Sequence, residues 1–126
     1  MARILVIDDS GFQRKWIVKS LEVIGFETIE AENGAIGLET LDREKPDAVT
    51  MDINMPEMDG IQFLTALNVR GGEIPPVIVI TADIQAETKK QCEELGAKAF
   101  INKPFEVDDL REALSGIFEL DKLVNN

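Results

Sequence analysis

Residues 3–11 read RILVIDDSG. Four apolar residues, Ile4 to Ile7, run without a polar break into two adjacent carboxylates, Asp8 and Asp9. A short, unbroken apolar run is how a strand covered on both faces reads. Ser10 suits a helix N-cap, and Gln13, three residues on, completes the pattern of a capping box. Strand, acidic turn and helix therefore follow one another directly. Neighbouring carboxylates repel, so their place at a strand end asks for a nearby cation.

The same alternation recurs along the chain. Strands are expected at Ile4–Ile7, Thr28–Ala31, Ala48–Met51, Val77–Thr81 and Ala99–Asn102. The first helix carries Ile17, Leu21 and Ile24 on one face and stops at Gly25. A second begins near Asn33 and carries Ile36 and Leu41. A third starts after Gly60, carries Ile61, Leu64 and Leu67, and stops at Gly71 and Gly72. A fourth covers Ile84 to Leu95 and closes on Gly96, and the fifth starts near Val107 with Leu110, Leu114 and Phe118 toward the core. Trp16 is expected to pack against a neighbouring helix, and Cys92 to be an inert, buried or half-buried thiol. Residues 121–126, DKLVNN, read as a fraying end. Five strand–helix units with short connections imply a parallel α/β sheet with helices on both faces.

Composition narrows the function. A chain of 126 residues fits one domain, 1–126, with no output domain expected after the fifth helix. One cysteine allows no intrachain disulfide, and no apolar run approaches the ~20 residues of a membrane span. With no signal peptide visible either, a cytoplasmic protein is expected. The net charge of −11 argues against nucleic acid as a partner. The absence of histidine removes Ser-His and Cys-His catalysis and His-ligated zinc.

Ligands of open parallel sheets sit beyond the carboxyl ends of the strands. There the chain places Asp8 and Asp9 after strand one, Asp52 after strand three, Thr81 at the end of strand four, and Lys103 after strand five. A divalent cation with one ammonium would neutralise the three carboxylates. All the donors are oxygens, which suits Mg²⁺, with Mn²⁺ possible, and not zinc or copper. A carboxylate beside such an ion can act as a nucleophile toward a phosphoryl group.

Four stretches carry a resemblance over essentially the whole chain: ILVIDDSGFQRK, DAVTMDINMPEMDG, VIVITAD and GAKAFINKPF. The chain resembles a response-regulator receiver domain of the stand-alone kind found in chemotaxis and two-component signalling. The resemblance implies a flavodoxin-like, doubly wound sheet of five parallel strands in the order 2-1-3-4-5. It implies that Asp52 is the phosphoacceptor. Asp9, Asp52 and the backbone carbonyl of Asn54 would hold Mg²⁺ directly, and Asp8 through water. Lys103, aimed by a cis bond to Pro104, would pair with the phosphoryl oxygens, and Thr81 would donate its hydroxyl to them. Phe100 would be the aromatic switch.

By that resemblance the chain is a switch and not an enzyme in the ordinary sense, although it would assist its own phosphorylation and dephosphorylation. A sensor histidine kinase would supply the phosphoryl group, because the chain has no histidine to carry it. A downstream protein would read the surface of the fourth helix, fifth strand and fifth helix. Monomer and phosphorylation-dependent dimer both stand. Asn54 and Asp83, two residues after Asp52 and Thr81, flank the path of an attacking water, either orienting it or serving as solvated loop residues. A haloacid-dehalogenase-type phosphatase would need an acid where Asn54 stands. A flavin-binding flavodoxin would need a Ser/Thr/Gly-rich loop where DDSG stands.

Overall fold

A computed structural model describes residues 2–118. The stretch 121–126, expected to fray, lies outside the described residues. Strands and helices alternate in chain order: β1 (Arg3–Ile7), α1 (Gly11–Ile24), β2 (Glu27–Ala31), α2 (Gly34–Glu44), β3 (Ala48–Met51), α3 (Gly60–Arg70), β4 (Val77–Thr81), α4 (Ala86–Glu94), β5 (Ala99–Asn102) and α5 (Val107–Ser115). The strands form one parallel sheet in the order β2-β1-β3-β4-β5. Helices on both faces are what the unbroken apolar runs imply, and the strand order is the one the resemblance implies.

The sheet has a core on each face. On one face Leu5, Ile7, Val49, Met51, Val77 and Val79 meet side chains of α2, α3 and α4. On the other Ile4, Val6, Ala48, Ile78 and Ile80 meet Ile17, Leu21 and Ile24 of α1 and Leu110 and Leu114 of α5. Successive strand side chains point to opposite faces, so a strand covered twice is apolar at most positions, with Thr50 in β3 and Thr81 in β4 as buried polar exceptions. Each fully buried Ile or Leu contributes about 1.5–3 kcal/mol relative to exposure.

Helix ends follow local chemistry. Asn33 caps α2 by accepting the Ile36 N–H at 2.8 Å. Asp59 and Gln62 form a full capping box on α3. Gly25 ends α1 at φ 122°, a conformation glycine adopts without steric cost.

Three expectations shift. The box on α1 is half formed: Ser10 accepts the Gln13 N–H at 3.3 Å, but the Gln13 carboxamide bonds elsewhere, and the Ser10 N–H goes to Asp8 at 2.9 Å. Helix α4 begins at Ala86 and not Ile84, because the Asp83 carboxylate accepts the Gln85 N–H at 2.9 Å and so holds residues 83–85 in a turn. Ile36 lies at the margin of α2, exposed rather than in the core. Phe118 does reach the core margin, 5.3 Å from the ring of Phe26.

Candidate functional site

The parallel ladder brings the expected residues to one edge. The Asp52 N–H donates to the Ile7 carbonyl at 3.2 Å, which extends the β1–β3 pairing by one residue and sets Asp52 beside Asp8. The Lys103 N–H donates to the Thr81 carbonyl at 2.8 Å and likewise extends β5 along β4. Asp8, Asp9 and Asp52 each present an oxygen within 4.8 Å of the others. Asp8 and Asp52 are buried, while Asp9 faces solvent.

The Lys103 ammonium is the hub. It donates to Asp8 Oδ2 at 3.0 Å, to Asp52 Oδ2 at 2.8 Å and to Gln13 Oε1. The three N–H donors of a lysine are thus all engaged. The remaining oxygen of each buried carboxylate accepts a backbone N–H two residues on, from Ser10 to Asp8 at 2.9 Å and from Asn54 to Asp52 at 3.0 Å. Burial pushes the Asp8 carboxyl above the ordinary carboxylate range. The Ser10 N–H and Lys103 pull it back, and the Asp52 charge pushes it further up.

The turn after β3 is tightly built. A Cβ at Gly60 would lie 2.7 Å from the Ile53 Cα and 3.2 Å from the Asp52 carbonyl oxygen. Only glycine lets α3 start this close to the Asp52 backbone. Asn54 is exposed just beyond Asp52. The Lys103–Pro104 bond is cis.

Two expected residues stand apart from the carboxylates. Thr81 is fully buried, and its hydroxyl accepts the Asp83 N–H at 3.2 Å. Among the described residues no hydrogen bond joins it to Asp52. Phe100 lies on β5 opposite Val79, half-buried against the α2–α4 core and outside the pocket. Both oxygens of Asp83 are engaged, with the Gln85 N–H at 2.9 Å and the Thr88 hydroxyl at 3.3 Å.

Sequence reasoning missed two neighbours. Gln13 reads as a capping residue, yet it reaches Lys103 across the mouth of the site. Arg14 donates to the Asp8 backbone carbonyl at 2.7 Å and pairs with Glu30 at 2.9 Å, bracing the end of β1. Neither shows a signal in spacing, since each acts on a residue the fold alone brings near. Trp16 also departs from expectation. It is 46% exposed and leans on Phe105 in the β5–α5 connection, 6.3 Å between rings. With Phe12, Gln13, Lys103, Pro104 and Phe105 it lines an open cavity of about 310 Å³ beside the site. Cys92 is buried as expected.

The donor set tests the cation. Three carboxylates at one strand edge, with no sulfur or imidazole among them, fit a hard divalent ion such as Mg²⁺. The arrangement can therefore hold such an ion beside a buried carboxylate that is already paired with an ammonium. Among the described residues no helix is long and apolar enough to cross a membrane.

Comparison with known proteins agrees with this architecture. A family model described as the response regulator receiver domain matches residues 4–115. The chain is 42% identical over 114 residues to chemotaxis protein CheY of Bacillus subtilis, covering 90% of this chain and 94% of that protein. Chemotaxis protein CheY4 of Vibrio cholerae, crystallised at low pH, superposes with a TM-score of 0.86 at 28% identity, covering 94% of this chain and 99% of that one. The CheX–CheY–BeF3–Mg²⁺ complex from Borrelia burgdorferi contains a chain matching with a TM-score of 0.86 at 31% identity, covering 93% of this chain and 89% of that one.

Proposed function

The chain belongs to the response regulator receiver domain family, and from that premise we propose that it is a phosphoacceptor switch whose acceptor is Asp52. The observation that carries this reading is the pairing of the buried Asp52 carboxylate with Lys103 inside the Asp8–Asp9–Asp52 cluster. An oxygen of Asp52 attacks the phosphorus of a phosphohistidine on a separate sensor kinase. The P–N bond breaks, the imidazole leaves, and an acyl phosphate remains on Asp52.

Each pocket residue has a role in that transfer. Asp8, Asp9, Asp52 and the Asn54 carbonyl are the groups that would hold the cation, Asp8 through water. A bound Mg²⁺, or Mn²⁺, would offset negative charge on the phosphoryl oxygens. Lys103 offsets more of that charge once its bond to the Asp52 carboxylate is exchanged for one to a phosphoryl oxygen. The Thr81 hydroxyl, now an acceptor for Asp83, turns to donate to the same group. Its movement frees space into which the Phe100 ring turns, and the α4–β5–α5 face changes shape. A partner that prefers one of the two shapes carries the signal onward.

The Borrelia relative was solved with BeF3, which stands in for a phosphoryl group, together with Mg²⁺ and CheX. That supports the same ligand chemistry here, with a protein as downstream partner. Residues 1–126 then act as a single receiver domain in the cytoplasm, as a monomer or as a dimer formed on phosphorylation.

The test is the intact mass after incubation with acetyl phosphate and Mg²⁺. One phosphoryl adduct, lost in Asp52→Asn and in EDTA, is expected. Wild-type protein that takes no adduct from acetyl phosphate or from a sensor kinase would leave the fold without this function.

A further inference from the structure

We propose that Gln13 is a positioning residue that keeps the Lys103 ammonium in the pocket once the carboxylates are otherwise occupied. The inference rests on the reading of Lys103 as a phosphoryl partner. The ammonium has three acceptors, and two of them, Asp8 Oδ2 and Asp52 Oδ2, belong to carboxylates of the cluster that would hold a cation and, at Asp52, take the phosphoryl group. A divalent ion attracts those oxygens more strongly than a lysine does and also repels the ammonium. Asp8 and Asp52 have few other oxygens to offer, since their Oδ1 atoms already accept the Ser10 and Asn54 N–H groups. The Oε1 of Gln13 is the one neutral acceptor of the three. A neutral amide is a weak rival for the cation, so its bond to Lys103 survives when the other two are exchanged.

The geometry suits that task. Gln13 sits in the first turn of α1, and its backbone N–H is fixed by Ser10 at 3.3 Å. Its carboxamide is not spent on the Ser10 N–H, as a full capping box would require, because Asp8 takes that donor. The Lys103 stem is largely covered, with only 11% of the side chain exposed, so the ammonium has little room to lie elsewhere without leaving the pocket. Losing Gln13 would free it to swing toward solvent as soon as the cation binds.

The experiment compares wild-type protein with Gln13→Leu, which keeps a similar volume on an exposed helix position and so leaves folding intact. Two readouts are taken. The first is the rate of adduct formation with acetyl phosphate and Mg²⁺, expected to fall about tenfold, the scale of one charge-assisted hydrogen bond. The second is the Hε/Cε resonance of Lys103 in ¹³C-lysine protein with Mg²⁺ and no phosphodonor, assigned by its loss in Lys103→Met. The two Hε protons should be distinct in wild type and merge in Gln13→Leu, as for a freely turning lysine. An unchanged rate in Gln13→Leu overturns the inference, and so does a slower rate with the Lys103 resonance unmoved. Wild-type protein that takes no adduct would instead defeat the phosphoacceptor reading itself.

Discussion

The Lys103 ammonium lies 2.8 Å from Oδ2 of Asp52, although 51 residues separate the two in sequence and the end of β4 stands between their strands. The same ammonium holds Asp8 Oδ2 at 3.0 Å. One side chain from the residue after β5 therefore ties together the acidic ends of β1 and β3. Lys103 is the internal counter-ion shared by the two buried carboxylates.

Removing it should expose that strain. Lys103→Met leaves two buried carboxylates facing each other, and loss of one partner from a buried ion pair costs about 3–5 kcal/mol. Urea unfolding in EDTA should show a loss of that order. Mg²⁺ should recover more of the stability in Lys103→Met than it adds to wild type, where a concentration ten times Kd contributes about 1.4 kcal/mol. Equal gains in the two proteins would show that Lys103 does not share its oxygens with the cation.

Alkaline stability should depend on Cys92. Burial, first, and then the charges of Asp83 and Glu93 push its thiol from the ordinary 9.0 up to about 11. Between those values the unfolded chain loses this proton while the folded chain keeps it. The unfolded state then binds fewer protons, so stability falls as pH rises through the window and is fully retained below pH 9. The loss should reach about 2–3 kcal/mol. Cys92→Ala should flatten this limb in denaturant titrations, and an unchanged slope would contradict the assignment.

The contact at Gly60 links packing to the site. In Gly60→Ala the new methyl meets the Ile53 backbone at 2.7 Å, and backbone yields less readily than a side chain. We expect a loss of about 1–3 kcal/mol. Because the displaced turn carries Asp52 and Asn54, adduct formation with acetyl phosphate should also slow. A destabilised variant with unchanged phosphorylation would show that the turn tolerates the shift.

Thr50 offers the opposite change. Its hydroxyl is buried in β3 and finds no hydrogen-bond partner among the described residues. Thr50→Val keeps the branched shape and removes the unpaired group, and should stabilise the protein by about 1–3 kcal/mol. A lower thermal midpoint in the variant would mean that the hydroxyl has a partner after all.

The fold was legible because β1, β3 and β4 are covered on both faces, and double coverage makes a strand apolar at most positions, Thr50 and Thr81 apart. Asp8, Asp9, Asp52, Thr81 and Lys103 were legible because parallel strands all end at one edge. What escaped depended on long-range geometry. The partner of Gln13 lies 90 residues away, and its choice turns on Asp8 having taken the Ser10 N–H first. The late start of α4 hangs on one side chain, Asp83, forming a turn in competition with the helix. The exposure of Trp16 escaped because apolar character alone does not tell a core face from an open one. Thr81 and Phe100 sit where their positions predicted, but their present contacts follow the packing of β4 and β5.

In the proposed switch the phosphoryl group resides on Asp52. The most direct test is to treat the protein with acetyl phosphate and Mg²⁺, reduce it with borohydride, digest it and sequence the peptides by mass spectrometry. Borohydride converts an aspartyl phosphate to homoserine and leaves a free carboxylate unchanged. Homoserine is expected at position 52, and none when Mg²⁺ is replaced by EDTA. Homoserine at Asp8 or Asp9, with Asp52 intact, would contradict it.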